Sequence, residues 1–408
     1  MLEFPKDFLW GAATSAYQVE GNNDNCDWWE WEKRYGLKDT SGSACRSYEL
    51  FTQDFDIAHR LHHNAHRLSV EWSRIEPQEG VFSEEEISHY QEVVRALRER
   101  KIIPVVTLHH FTNPLWFSRR GGWQDAKACF YFVRFVEKIV EALSDQVRYW
   151  VTINEPMVYV YQSYVLGLWP PQEKSFSLAR GVTTKLLNAH VQAYQAIHRL
   201  YEQKQSGPVF VGIAKNMQAF VPCISTAVNR CAAAVRDYLY NYELLLKIKK
   251  RKAMDFIGVN YYTRNLVEVR GGGMGHFLLD ICQEEHSHLP RNTLGWDIYP
   301  EGFFQILMKL KSFNLPVFIL ENGICTLDDA QRWDFVLSHL QSLHRAISEG
   351  VPVLGYLYWS LLDNYEWDKG FAPRFGLVEV DYKTQQRTIR ESALKFAEVC
   401  HTGKVVSL

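Results

Sequence analysis

Short apolar runs alternate along the chain with longer segments whose apolar residues recur at helical spacing. Eight of the short runs read as strands: Phe8–Thr14, Ala65–Val70, Ile103–His109, Arg148–Ile153, Val209–Ala214, Asp255–Asn260, Pro316–Leu320 and Val353–Trp359. Between them, Glu84–Lys101 places Ile87, Tyr90, Val93, Val94 and Leu97 on one stripe, and Ala126–Leu143 does the same with Phe132, Phe135, Val136, Ile139 and Val140. Leu178–Gln203, Ala227–Lys249, Glu301–Lys311 and Ala330–Glu349 have similar patterns. Strands that are apolar almost throughout, each followed by a helix, predict a parallel sheet covered on its faces. Eight such units predict an α/β protein closed into a (β/α)8 TIM barrel. No phosphate-cradling glycine motif follows the first strand, which counts against a nucleotide-binding fold. The best candidate for a linker, Arg270–Gly275 with its three consecutive glycines, reads as a flexible loop between strands six and seven. Residues 1–408 are therefore expected to form a single domain.

Composition narrows the function. Forty-five basic and 47 acidic residues leave a net charge of −2, no field for holding a polyanion, so nucleic-acid binding is not expected. Thirteen Trp, 21 Tyr and 23 Phe point either to a ring-rich core or to a surface that stacks on flat apolar faces such as sugar rings. The eight Cys are scattered without a CxxC, unlike a zinc site or a disulfide scaffold, and read as reduced thiols of a cytoplasmic protein. No signal-peptide pattern opens the chain and no run approaches the eighteen or so apolar residues of a membrane helix, so no membrane association is expected.

Polar residues crowd the C-terminal ends of the strands, where barrels of this kind place their sites. Strand one runs into Gln18 and Glu20; strand two carries Arg67 and leads to Glu71 and Trp72. Strand three ends at His109 and His110, strand four at Asn154-Glu155-Pro156, and strand six at Asn260-Tyr261-Tyr262. Strand seven ends at Glu321-Asn322-Gly323, and Trp359 closes strand eight with Asp363 to Trp367 just beyond. A lone Glu at a strand end could simply favour the start of a helix. Glu155 and Glu321 together, among so many hydrogen-bonding and aromatic groups, fit the carboxylate pair that glycoside hydrolysis requires.

These residues resemble the family 1 glycoside hydrolases, the β-glucosidase and β-galactosidase group. The similarity runs from Phe4 to about Glu398, through Phe8–Gly21, Thr152–Pro156, Phe256–Tyr262, Leu320–Gly323 and Tyr358–Trp367. The resemblance implies a retaining β-glucosidase-type O-glycosyl hydrolase acting on terminal non-reducing β-D-glycosyl residues (glucoside, galactoside or fucoside) through a covalent glycosyl-enzyme. It casts Glu155 as the general acid/base and Glu321 as the nucleophile, with Arg67 and Tyr262 orienting the latter. Gln18, His110, Asn154 and Glu366 match groups that hydrogen-bond the sugar, Trp359 its stacking platform and Trp367 a further sugar contact. No metal and no cofactor is implied; the partner is a small-molecule β-glycoside or oligosaccharide, and the sequence leaves room for a homo-oligomer. Glu321 is expected ionised beside Arg67, and Glu155, about 5–5.5 Å away in a retaining enzyme, protonated because of that charge.

The chain departs from the family pattern in places. Phe111 follows His110 where many members have Trp, and the segment Asn241–Lys252 lacks a long excursion that relatives carry. Pro373 and Phe375 stand where phosphosugar-cleaving relatives have other residues, which disfavours a phosphorylated substrate. A transglycosidase would use the same residues, and a non-catalytic sugar-binding barrel would usually have lost a carboxylate. A metal-dependent hydrolase is disfavoured because adjacent His109 and His110 point to opposite faces and His59, His62 and His63 read as a solvated stretch. Trp28, Trp29 and Trp31 either line an outer site or pack under the first loop; the basic run Lys247–Lys252 reads as a solvated helix end, and nothing marks Cys325 as activated.

Overall fold

The computed structural model describes residues 1–280, 282 and 287–406. Eight parallel strands form a closed barrel in chain order: β1 (Leu9–Ala13), β2 (Ala65–Ser69), β3 (Ile103–Thr107), β4 (Tyr149–Asn154), β5 (Phe210–Pro222), β6 (Phe256–Val267), β7 (Val317–Asn322) and β8 (Val353–Trp359). Pairing of β8 with β1, from Gly355 opposite Leu9 to Trp359 opposite Ala13, closes the ring. The expected (β/α)8 barrel is the fold. Each predicted strand is present, within a few residues at its start.

The apolar strand pattern has its cause in two layers of burial. Leu9, Ala65, Val105, Val151, Phe256, Phe318 and Leu357 fill the barrel interior, while a second, larger apolar layer packs between strands and helices. Gly11 sits so close to β2 that a Cβ there would meet the Ala65 carbonyl oxygen at 1.8 Å, so no larger residue fits. The helices begin where capping chemistry says they should. Ser83 accepts from the Glu86 amide, and Glu84, Glu85 and Glu86 occupy the positive end of Glu84–Glu99.

Two features depart from the sequence reading and both shape the barrel mouth. Strands β5 and β6 run past the expected ends at Ala214 and Asn260, pairing out to Pro222 opposite Val267 after a register shift near Met217. The helix expected over Ala227–Lys249 is broken by a π-helical turn at Tyr238–Tyr242. Asn241, buried in that turn, donates to the Gln218 carbonyl at 2.8 Å and accepts from the Gln218 amide at 3.1 Å, tying the turn to β5. Beneath the barrel the two ends of the chain meet: Leu2–Glu3 pairs antiparallel with Lys404–Val405.

Two expectations are corrected. His63 is not solvated but buried against Phe396, because the chain turns inward at Leu61 to enter β2; His59 and His62 are exposed as expected. The cysteines are not all reduced: the fold brings Cys223, just past β5, and Cys282 beside the end of β6, and joins them in a disulfide. The other six are free. Trp28 packs inside under the first loop against Tyr17, Trp169 and Trp367, and Trp31 packs against Trp28. Among the described residues no helix is long and apolar enough to cross a membrane.

Candidate active site

A cavity of about 770 Å³ opens at the C-terminal mouth of the barrel. Gln18, His110, Asn154, Glu155, Tyr262, Glu321, Trp359, Glu366 and Trp367 all line it. Arg67 lies just behind. The ten residues singled out in the sequence are therefore brought together, from seven of the eight strands and the loops that follow them.

Each carboxylate is delivered by a local device. Asn154 ends β4 and Pro156 opens the short helix Pro156–Val160, leaving Glu155 between them. A residue before proline is kept out of the helical region. Glu155 takes φ 43° and ψ 57°, a left-handed conformation rare for a non-glycine residue, held by its amide donating to the Ala214 carbonyl at 2.9 Å. Glu321 is still within β7 and its neighbour Gly323 is pressed against β8, where a Cβ would lie 1.9 Å from the Trp359 carbonyl oxygen. Glu366 stands above the opposite wall, accepting from Gln18 Nε2 at 3.2 Å.

The hydrogen-bond network separates the roles of the carboxylates. Arg67, fully buried, donates from Nη1 to Glu321 Oε1, from Nη2 to Asn154 Oδ1 at 2.7 Å and from Nε to Thr107 Oγ1 at 2.9 Å. Tyr262 donates its hydroxyl to Glu321 Oε2 at 2.6 Å. Burial raises the Glu321 carboxyl, and the Arg67 charge and the Tyr262 hydroxyl offset part of that rise. Among the described residues Glu321 is the one carboxylate in ion-pair reach of Arg67. A guanidinium sealed from water needs that counter-charge, so Glu321 is the ionised member.

Glu155 sees the reverse. Burial first, and then the neighbouring Glu321 charge, push its carboxyl up to about 7, against hydrogen bonds from Asn260 Nδ2 at 2.8 Å and Asn216 Nδ2 at 3.1 Å to Oε1. Glu366 is pushed up to about 8 by burial and by Glu321. Burial and the Arg67 charge hold His110 well below the ordinary imidazole range, so it is neutral, with Nε2 3.1 Å from Asn154 Nδ2. The rings of Trp359 and Trp367 lie nearly parallel to His110, each about 6.1 Å away centre to centre. They give the cavity flat apolar walls beside its polar floor.

Three further residues enter this network that the sequence reading gave no role. Asn260 bridges Asn154 and Glu155; Asn216 reaches Glu155 and is itself held through Oδ1 by the Tyr240 hydroxyl at 2.9 Å. A signal for Asn216 was present. Lys215 interrupts an apolar strand and pushes the end of the reading back to Ala214, one residue short of the charge and two short of the site. Tyr240 had no such signal, because a π-turn leaves no mark in a helical period.

The model of glycosyl hydrolase family 1 matches residues 1–251 and 241–405. This chain belongs to that family. A β-galactosidase of Sulfolobus acidocaldarius is 31% identical over 481 residues, covering 99% of this chain and 96% of its own. A solved β-glycosidase from Pyrococcus horikoshii shares 40% identity at a TM-score of 0.91, covering 100% of this chain and 96% of that one. The β-glucosidase from Thermotoga maritima solved in complex with glucoimidazole has a TM-score of 0.90 at 29% identity, with 99% of this chain and 100% of that one covered. The activity is that of a family 1 β-glycosidase, and retention of anomeric configuration is a trait of the family.

Proposed function

We propose that the protein hydrolyses terminal non-reducing β-D-glucosides and related galactosides or fucosides, with Glu321 as nucleophile and Glu155 as acid/base. The observation that carries this reading is the division of protonation between two carboxyls on one cavity. Arg67 and Tyr262 hold Glu321 charged, and that charge helps keep Glu155 protonated up to about pH 7.

In the first step Glu155 gives its proton to the glycosidic oxygen while Glu321 attacks the anomeric carbon and the bond to the aglycone breaks. Esterified, Glu321 no longer bears a charge, and one of the two influences raising Glu155 disappears. Glu155 then accepts a proton from water as the water oxygen displaces Glu321 from the sugar. Asn154 is fixed by Arg67 and Asn260, leaving it aimed at the sugar rather than free to rotate. Gln18 and Glu366, joined to each other, address the hydroxyls at the other end of the ring, and Trp359 offers its face to the C–H side.

Relatives named both β-glucosidase and β-galactosidase flank this chain at similar identity, so the sugar is read from the whole cavity. A cytoplasmic location belongs to the same proposal: six of the eight cysteines are free thiols, and the Cys223–Cys282 pair argues the other way. The test is kcat/KM on a panel of aryl β-glycosides (gluco, galacto, fuco, manno and 6-phosphogluco), with products assayed for transfer to an added acceptor. Highest values on the gluco, galacto or fuco compounds, with free sugar as the main product, support the reading. Activity confined to the phosphorylated compound, or none on any, overturns it.

A further inference from the structure

Lys215 is fully buried in β5, yet no carboxylate lies within ion-pair distance of its Nζ among the described residues. The ammonium donates to the Asn216 carbonyl at 2.6 Å and lies 4.1 Å from the centre of the Tyr240 ring. Strand alternation explains the placement. Asn216 turns toward the cavity, so Lys215 turns outward into the layer between strand and helix, under the π-turn that carries Tyr240. A cation hidden from water with one carbonyl and one ring face as partners costs stability. The fold gains no ion pair in return, which is the mark of a group kept for another purpose.

That purpose is legible in what surrounds it. Tyr240 donates to the Asn216 side chain, and Asn216, like Asn260, donates to Glu155, so the two residues Lys215 touches form a chain that ends on the carboxyl. The titratable groups facing it are Glu155 from the end of β4 and Tyr240 from the turn, with Tyr161 and Arg236 farther out beyond Tyr240. Asp237, next to the turn, is engaged by Lys309 and Asn241 instead. Burial draws Lys215 down to about 7, while the Glu155 charge favours its protonated form. By reciprocity the ammonium favours the Glu155 carboxylate.

We propose that Lys215 is a positioning residue for the acid/base: from behind the cavity wall it steadies the Tyr240–Asn216 chain that ends on Glu155 and favours the carboxylate that the second half of the reaction needs. The proposal rests on Glu155 being the acid/base. It assigns Lys215 no contact with substrate and no bond-making step.

The experiment compares Lys215→Met, Lys215→Gln and Glu155→Gln with the parent in thermal melts and in pH profiles of kcat and kcat/KM on an activated aryl glycoside. With the cation gone, the Glu155 carboxylate is disfavoured, so the basic limb of kcat/KM moves up, by only part of a pH unit because Lys215 itself loses its proton near pH 7. Breakdown of the glycosyl-enzyme slows, so kcat and KM fall together, about fivefold each, with kcat/KM on the acid side unchanged. The melting temperature of Lys215→Met holds or rises. A merely structural lysine would give the opposite: a lower melting temperature and an unmoved basic limb, and that result overturns the proposal. Should Lys215→Met fail to fold, Lys215→Gln keeps a polar group near the Asn216 carbonyl without charge, and an unmoved limb in it is equally fatal. Glu155→Gln separates the two readings. If it retains the parent's basic limb, the acid/base assignment fails; if it loses that limb while the Lys215 variants keep theirs, only the present proposal fails.

Discussion

Arg67 and Glu321 stand 254 positions apart in the chain and meet as a buried ion pair across the barrel mouth. The pair orients the oxygen proposed to attack and, by its charge, favours the ionised form of that carboxyl over its neighbours. Nη2 of the same Arg67 donates to Asn154, so one guanidinium fixes both the proposed nucleophile and an amide proposed to bind the sugar.

Glu321→Gln keeps the shape and an acceptor for Arg67 but removes the charge and the proposed nucleophile. Turnover should fall on the order of 10⁴-fold or more. Circular dichroism should report a native fold. Near-normal activity in this variant would sink the nucleophile assignment.

Glu155→Ala removes the proposed proton donor without touching Glu321. Glycosides with poor leaving groups should lose on the order of 10²–10⁴-fold in kcat/KM. Aryl glycosides whose leaving group needs no proton should lose far less in the same parameter. Equal losses across a leaving-group series would show that Glu155 does not act as the acid.

Arg67→Met leaves the Glu321 carboxyl buried without its counter-charge. Stability should drop by about 3–5 kcal/mol, readable as a lower urea midpoint. The acid limb of kcat/KM should move to higher pH, since Glu321 then ionises less readily. A variant as stable as the parent with an unmoved acid limb would contradict the ion-pair account.

Stability against pH carries its own signature. The Glu155 carboxyl is raised from 4.5 to about 7 in the native state. Between those values the folded protein holds a proton that the unfolded chain has released, so this group makes stability fall as pH rises. Glu155→Gln should therefore melt higher than the parent at pH 8 and no higher at pH 4. His63 and His66, lowered to about 3 by burial, act oppositely and weaken the fold as pH falls below about 6.5. Melting curves of Glu155→Gln that track the parent at both pH values would remove Glu155 from the account.

Much of the barrel was legible because a strand buried on both faces leaves an unbroken apolar run, as in Pro316–Leu320 before Glu321. The same physics made the catalytic candidates stand out, since a charge closing such a run needs a partner. Where the reading stopped short, the pattern had changed meaning. Past Met217 and Tyr261 the strands are mostly half-buried, and polar residues such as Lys215, Asn216 and Gln218 in β5 and Thr263, Arg264 and Asn265 in β6 break the apolar pattern on the way to Pro222 and Val267. Lys215 ended a strand in the sequence while lying inside one in the structure, because its burial depends on Tyr240 from a distant turn. His63 looked polar for the company of His59 and His62, though burial is decided residue by residue. The Cys223–Cys282 pairing depends on that same β5–β6 extension, which no cysteine spacing announces.

The clasp of Leu2–Glu3 with Lys404–Val405 also has a practical meaning. Strand β1 starts a few residues after Glu3 and runs away from it toward the cavity, so both chain ends leave from the floor of the barrel. An affinity tag or a fused partner attached at either end would project from the face opposite substrate entry. Because the ends are neighbours, a short bridge could join them, and the chain could then be opened at an exposed loop with the catalytic mouth left whole.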